Sequence, residues 1–290
     1  MNVLVTGGCG FIGYALTKRL LLEGYNVDVI DNLSIGKEAK EVISLGAGFL
    51  GGDIRAMENI PLKRYEYIFH LAALSRIQPS FKQPRLTFTS NVEGTRQVVD
   101  YALKVRAKLI YAGSSSKHHN PELSPYAMSK HIGEEWIKMY KKCFGLNAEI
   151  ARFYNVYGSG ELVDSHMAAV IGKWRGQIAR NHPITIVGDG EQRRDFTHID
   201  DIIDGLTKVA KSKEQHEDAW ELGTGCNYTI NRVADMFVEK FNCVKVYMSE
   251  EQGNYRETVR INNDAIERLG WQPTDKLKQY IQSLYETDNS

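Results

Sequence analysis

The chain has 290 residues, 42% of them hydrophobic and 25% charged, enough to bury a large core and too apolar for disorder to be its default. Its 36 Lys and Arg balance 36 Asp and Glu, and no basic run stands out, which argues against a nucleic-acid or acidic-membrane partner and for a small molecule. Cys9, Cys143, Cys226 and Cys243 lie 134, 83 and 17 positions apart, a pattern of neither a CxxC metal site nor a compact disulfide framework; reduced thiols in the cytoplasm, without metal, are the expectation.

Met1 leads directly into an apolar run over 2–6 that breaks into Gly7, Gly8, Gly10 and Gly13 and resumes as an amphipathic stretch over 11–22. Strand, glycine turn and helix in that order point backbone N–H groups at a pyrophosphate, although a tight turn that packs a helix on a strand also needs glycine. A second strand over 26–30 ends at Asp31, 24 positions after Gly7. An acid there meets an adenosine ribose diol and repels a 2′-phosphate, so NAD is preferred over NADP, a preference that Lys37 softens. Further strands are read at 47–50, 66–70, 107–112 and 147–151, and helices at 80–104 and 125–143, with Pro84 preceding or breaking the first of these. This alternation predicts a Rossmann-type doubly wound parallel sheet, α/β in class, over residues 1–155. Beyond 155 the spacing is irregular. Helices are read at 165–180, 199–211, 229–241 and 275–286, short strands near 184–187 and 219–222, and a solvated loop at 211–218. Residues 156–290 are therefore expected to form a smaller, mainly substrate-binding lobe, some segments of which return to the sheet. No signal peptide precedes the first strand and no apolar stretch approaches the roughly 20 residues of a membrane span, so secretion and a membrane partner are not expected.

The catalytic signal lies between Tyr111 and Lys130. A serine cluster, Ser114-Ser-Ser116, follows the fifth strand at the ligand-binding edge of such a sheet, and Tyr126 and Lys130 fall four apart on one face of the next helix. A tyrosine with a pKa of about 10 is a poor base unless cations hold its phenolate. A Tyr-x-x-x-Lys pair alone also fits a packed tyrosine and a solvated lysine; its order after the glycine loop, Asp31 and the serines favours a reactive set.

Taken together, Thr6-Gly-Gly-Cys-Gly-Phe-Ile-Gly13, Asp31-Asn-Leu-Ser34, Gly52-Asp-Ile54, Phe69-His-Leu-Ala-Ala73, Asn91-Val-Glu-Gly-Thr95, Tyr126-Ala-Met-Ser-Lys130, Arg152-Phe-Tyr-Asn-Val-Tyr-Gly158, the stretch from Gly188 to His198, Leu222-Gly-Thr-Gly225 and Leu269-Gly-Trp271 resemble the extended short-chain dehydrogenase/reductase family. Within it the resemblance is to the NAD-dependent nucleotide-sugar epimerases and dehydratases typified by UDP-glucose 4-epimerase, and it covers nearly the whole chain. It implies that Gly7, Gly10, Phe11, Ile12 and Gly13 receive the NAD pyrophosphate, that Asp31, Asn32 and Ser34 contact the cofactor, that Asp53 and Ile54 flank the adenine, and that Leu71, Ala72, Ala73 and Asn91 line the cofactor's path. Asn155 and Arg194, with Arg256, are implied as diphosphate contacts, and Ser115, Ser116 and Lys117 as neighbours of the sugar.

The implied chemistry is a UDP-sugar 4-epimerisation through a transient 4-ketone. Tyr126 takes the proton of the C4 hydroxyl, Ser115 holds that oxygen, and Lys130 grips the nicotinamide ribose and keeps Tyr126 acidic. Two alternatives stay open. A dehydratase on the same scaffold would use Lys117 in proton transfer, against which stands the absence of acidic residues at Ser116 and Lys117. A non-catalytic NAD-binding sensor or scaffold would not need Ser115, Tyr126 and Lys130. His118 and His119 are acid/base candidates or solvated loop residues. By analogy the helices 80–104 and 125–143 form a homodimer interface, though their pattern also fits packing on the sheet.

Overall fold

The computed structural model describes residues 1–163 and 165–285. Two compact units divide the chain: Met1–Arg152 with Ile203–Trp220, and Phe153–Ile202 with the residues from Glu221 onward.

The first unit is built on a sheet whose strands, in chain order, are β1 (Asn2–Thr6), β2 (Asn26–Asp31), β3 (Gly48–Gly51), β4 (Tyr67–His70), β5 (Lys108–Ser114) and β6 (Ala148–Phe153). Across the sheet they lie β3-β2-β1-β4-β5-β6, with Trp220–Leu222 as a seventh strand at the far edge. β1 pairs in parallel with both β2 and β4, so the winding reverses at β1, which is where a doubly wound sheet opens a crevice at its carboxyl end. The strands are apolar without alternation because helices cover both faces: Val3, Leu4 and Val5 are each 0% exposed. The helices are α1 (Phe11–Leu22), α2 (Ala39–Ser44), α3 (Ile77–Lys82), α4 (Pro84–Phe88), α5 (Gly94–Val105) and α6 (Pro125–Phe144). Val98, Val99 and Ala102 of α5 and Ile137 of α6 join Leu4, Ile68, Leu109 and Ile150 of the sheet in one core.

The strands and helices read from the first half are present; β5 runs two residues further than expected, α2 is an addition, and one helix differs in kind. The stretch 80–104 is not one helix but α3, α4, a π turn over Thr89–Glu93 and α5. Pro84 opens α4 at its first turn, where a missing N–H costs nothing. A further difference is the loop 211–218. It is not merely solvated: His216 is buried, with its N–H on Glu149 Oε2 at 3.0 Å, and Asp218 is bonded to Arg152.

In the second unit and its junctions the strands are β7 (Val156–Tyr157), β8 (Ile184–Val187), β9 (Arg193–Asp195), β10 (Thr197–His198), β11 (Trp220–Leu222), β12 (Asn227–Thr229), β13 (Lys245–Met248) and β14 (Glu257–Thr258). The helices are α7 (Val170–Ala179), α8 (Ile199–Lys211), α9 (Ile230–Phe241), α10 (Asp264–Leu269) and α11 (Leu277–Ser283). Trp174, Ile184, Ile186, Phe237, Leu277 and Ile281 form this unit's core. α7 starts five residues later than the sequence pattern suggests, and α11 is shorter than 275–286, whose last residue lies outside the described residues.

Candidate active site

The turn out of β1 is shaped by close approach. Gly7 has φ +73°, and a Cβ on it would lie 2.7 Å from Ala72 N; a Cβ on Gly13 would lie 2.1 Å from the Gly7 carbonyl oxygen. A side chain at either position would force the loop away from the segment after β4 or α1 away from the loop. Gly10 is the N-cap of α1 without a side-chain hydrogen bond, and the first turn carries no acid, so nothing neutralises the positive end of the helix at Phe11 and Ile12. Asp31 ties this loop to β2: its Oδ2 accepts the Cys9 N–H at 2.9 Å and its Oδ1 the Leu33 N–H at 2.8 Å, while burial pushes its carboxyl up. Leu71 and Ala72 donate to the Thr6 carbonyl and hydroxyl, which keeps Leu71-Ala-Ala73 against the glycine turn.

Other residues expected at the cofactor are engaged within the protein. Asp53 is gripped by Arg55, Nη2 to Oδ2 at 2.7 Å, and accepts from Asn32 at 2.9 Å; Arg55 holds its carboxyl well below the usual range against the opposing effect of burial. Ile54 is 7% exposed and packs on Gly94, where a Cβ would lie 2.5 Å from Ile54 Cδ1. Ser34 is exposed and Lys37 is paired with Glu41 at 2.9 Å. Asn91 does not line an open path with its side chain. It is 1% exposed and clamps Leu74 on both sides, accepting its N–H at 2.8 Å and donating to its carbonyl at 2.9 Å, with a further bond to Ser129 Oγ.

The reactive set differs from expectation by one serine. Tyr126 donates to Ser114 Oγ at 3.2 Å, so Ser114 and not Ser115 stands at the tyrosine. β5 runs on to Ser114, which then caps the 3-10 turn Ser115–His118 by accepting the Ser116 N–H; Ser115 already belongs to that turn. Ser116 N–H, Ser116 Oγ and Tyr126 Oη lie 3.2, 2.9 and 3.2 Å from Ser114 Oγ, whose two lone pairs accept two of the three; once Tyr126 is a phenolate and no longer a donor, Ser116 fills both and the Ser114 proton is available to an oxygen in the site. α6 starts at Ser124, whose Oγ accepts the Ala127 N–H, and the Tyr126 N–H reaches Ser80 Oγ on α3 at 3.2 Å.

Lys130 is buried one turn after Tyr126, with Nζ 2.7 Å from the Ala112 carbonyl and 3.3 Å from Tyr111 Oη. Burial pulls its ammonium down to about 8, opposed by Glu134. Burial pushes the Tyr126 phenol up, and what pulls the other way is the Ser114 hydrogen bond and the charge of Arg76, a residue that sequence reading passed over. Lys117 is engaged with α6: its Nζ lies 2.9 Å from His131 Nδ1 and 2.5 Å from Glu135 Oε1.

In the second unit Asn155, with φ 21°, donates to the Asp195 carbonyl at 2.9 Å and to Thr258 Oγ1 at 3.2 Å. Arg194 pairs in register with Thr258, its Nη2 2.7 Å from Asn254 Oδ1, and burial draws its guanidinium down to about 10. Arg256 does not join them. Its guanidinium is exposed and forks onto Asp189 with two 2.9 Å bonds.

A profile of the NAD dependent epimerase/dehydratase family matches residues 3–223. The chain belongs to this family. It is 31% identical to a Methanocaldococcus jannaschii protein assigned as a UDP-glucose 4-epimerase, over 97% of this chain and 96% of the other. Among solved structures it is similar to the UDP-glucose 4-epimerase of Thermotoga maritima with UDP-glucose, at TM-score 0.89 and 28% identity over 97% and 96% of the two chains. It is also similar to the UDP-glucuronic acid 4-epimerase of Bacillus cereus in complex with UDP-glucuronic acid and NAD, at TM-score 0.87 and 25% identity over 99% of each chain.

As an NAD-dependent epimerase/dehydratase the chain has a cofactor cradle that fits: glycines where a Cβ would collide, an uncapped helix N-terminus and Asp31 at the end of β2. Among the described residues no group of three His, Cys, Asp or Glu is placed to hold a metal, and no helix is long and apolar enough to cross a membrane.

Proposed function

We propose that this enzyme is a nucleotide-sugar 4-epimerase, acting on a UDP-linked sugar. The observation that carries this reading is the Ser114–Tyr126 hydrogen bond at the carboxyl end of β5, with Lys130 buried one turn on. NAD⁺, when bound, supplies reversible hydride acceptance. Tyr126 Oη removes the proton of the C4 hydroxyl and returns it after the ketosugar has turned. Ser114 donates its proton to the same oxygen and follows it from alkoxide to carbonyl. Lys130 would hold the nicotinamide ribose, and Asn155 and Arg194 would bind the diphosphate, an anchor that lets the intermediate turn without leaving.

A buried ammonium lowered to about 8 is a cost that a pure binding module has no need to carry, which speaks for catalysis over a sensor or scaffold. The engagement of Lys117 with His131 and Glu135 speaks against the proton-transfer role that the dehydratase alternative gives it. We further infer a homodimer in the cytoplasm. The dimer is supported by Leu86 and Phe88 of α4 and Phe144 at the end of α6, which are 37%, 42% and 57% exposed. The test of the mechanism is Tyr126→Phe, which is expected to abolish turnover of UDP-sugars while retaining NAD binding by fluorescence titration; undiminished turnover refutes it.

A further inference from the structure

One turn beyond Lys130, α6 carries Glu134, buried against Arg152 of β6. Arg152 Nη2 lies 2.7 Å from Glu134 Oε2, and its Nε lies 3.2 and 3.1 Å from the two carboxylate oxygens. The Arg152 and Glu134 side chains are 1% and 0% exposed. The other edge of the guanidinium takes Asp218 in a fork, with bonds of 2.6 and 2.8 Å, and Lys138 reaches Asp218 from outside at 2.5 Å. Gly113 on β5 makes the room: a Cβ there would lie 2.8 Å from Glu134 Oε1 and 2.9 Å from Arg152 Cγ. Apolar residues in place of such an ion pair are commonly no less stable, so stability alone gives little reason for it.

We propose that Glu134, clamped by Arg152, is the fixed counter-charge that keeps Lys130 an ammonium and so sets the upper pH limit of the reaction. Glu134 is a positioning residue that acts through Lys130, and its catalytic consequence rests on the reading of Tyr126 and Lys130 given above. The groups around Lys130 are Tyr126 and Glu134 on α6, Tyr111 and the Ala112 carbonyl on β5, and His70 on β4. Burial takes His70 down to about 3, so it is neutral, and burial together with the Glu134 charge pushes the Tyr111 and Tyr126 phenols up. Among these groups Glu134 brings the negative charge, and it opposes the burial that lowers Lys130.

The test is an NMR titration of the whole chain with lysine labelled at Cε, the Lys130 signal being identified by its loss in Lys130→Met. The wild-type midpoint is expected near 8. Glu134→Gln, whose amide oxygen still accepts from Arg152, is expected to lower that midpoint by about one unit or more. The alkaline limb of kcat/KM on a turned-over UDP-sugar is expected to move down by the same amount, and Asp218→Asn to move neither. Should Glu134→Gln not fold, the double variant with Arg152→Met removes the buried Glu134–Arg152 pair whole, so that neither partner is left charged alone, and a Lys130 midpoint below the wild-type value is expected there too. An unmoved midpoint overturns the proposal, even if activity or stability has dropped. A moved midpoint with an unmoved alkaline limb overturns the pH-limit role and counts against Lys130 as the working ammonium. Absence of turnover in the wild type counts against the epimerase reading and leaves the midpoint test standing.

Discussion

Three adjacent serines and one tyrosine give a sharp prediction. Ser114 Oγ accepts from Tyr126 at 3.2 Å and from Ser116, whereas Ser115 opens the 3-10 turn. Ser114→Ala removes the proton that would follow the C4 oxygen from alkoxide to carbonyl, a preorganised donor of the kind worth about 10²–10³ in kcat. It also removes the cap on the Ser116 N–H, at a cost of about 1 kcal/mol in stability. Ser115→Ala removes neither and is expected to stay within about threefold of wild type, since it forfeits no bond to a group that changes charge. Steady-state kcat for the two variants on the same nucleotide sugar, with thermal melts to separate folding from chemistry, decides the matter. A larger loss in Ser115→Ala than in Ser114→Ala would refute the assignment.

Lys130→Met is expected to abolish activity and to change the pH dependence of stability. The folded-state pKa of Lys130 is lowered from 10.5 to about 8, so its burial penalty, about 3 kcal/mol at 1.36 kcal/mol per unit, is full below pH 8 and fades as pH rises to 10.5. The stability of the methionine variant relative to wild type, from urea melts, should therefore fall by about that amount between pH 7.5 and 10.5; a constant difference contradicts this. Arg194→Met should raise KM for a UDP-sugar by about 10- to 100-fold through loss of a charged hydrogen bond to the diphosphate, whereas Arg256→Ala, exposed and held by Asp189, should change it by less than about twofold; equal effects would restore Arg256 to the site. Gly13→Ala should weaken NAD binding and cost about 1–3 kcal/mol by overpacking, because its Cβ would lie 2.1 Å from the Gly7 carbonyl oxygen. Isothermal titration and melts check both, and unchanged NAD affinity would contradict the cradle.

The parallel sheet was legible because strands buried on both faces carry continuous apolar runs such as Val3-Leu4-Val5, and because the glycine turn needs the absence of side chains. The short strands β7, β9, β10, β12 and β14 run two or three residues, too few for any period to show. The serine assignment, which the resemblance implied, has a different origin. Three adjacent serines look alike in sequence, and only β5, which runs on to Ser114 and hands Ser115 to the 3-10 turn, tells which of them stands at Tyr126. Lys117 and Arg256 are implied as substrate contacts by the resemblance, and their carboxylate partners, 18 and 67 positions away, leave no trace in sequence spacing. Arg76, Glu134 and Arg152 escaped notice for the opposite reason: each lies inside or beside a recognised motif and acquires its significance from the charges that folding sets near Tyr126 and Lys130.

The most direct measurement is proton NMR with mass spectrometry on the purified protein incubated with UDP-glucose, UDP-glucuronic acid and UDP-N-acetylglucosamine, without added reductant. The account predicts a product of unchanged mass whose ring couplings show inversion at C4 alone, formed by the wild type and not by Tyr126→Phe. A product lighter by one water, or no conversion of any nucleotide sugar by an NAD-loaded protein, would contradict it.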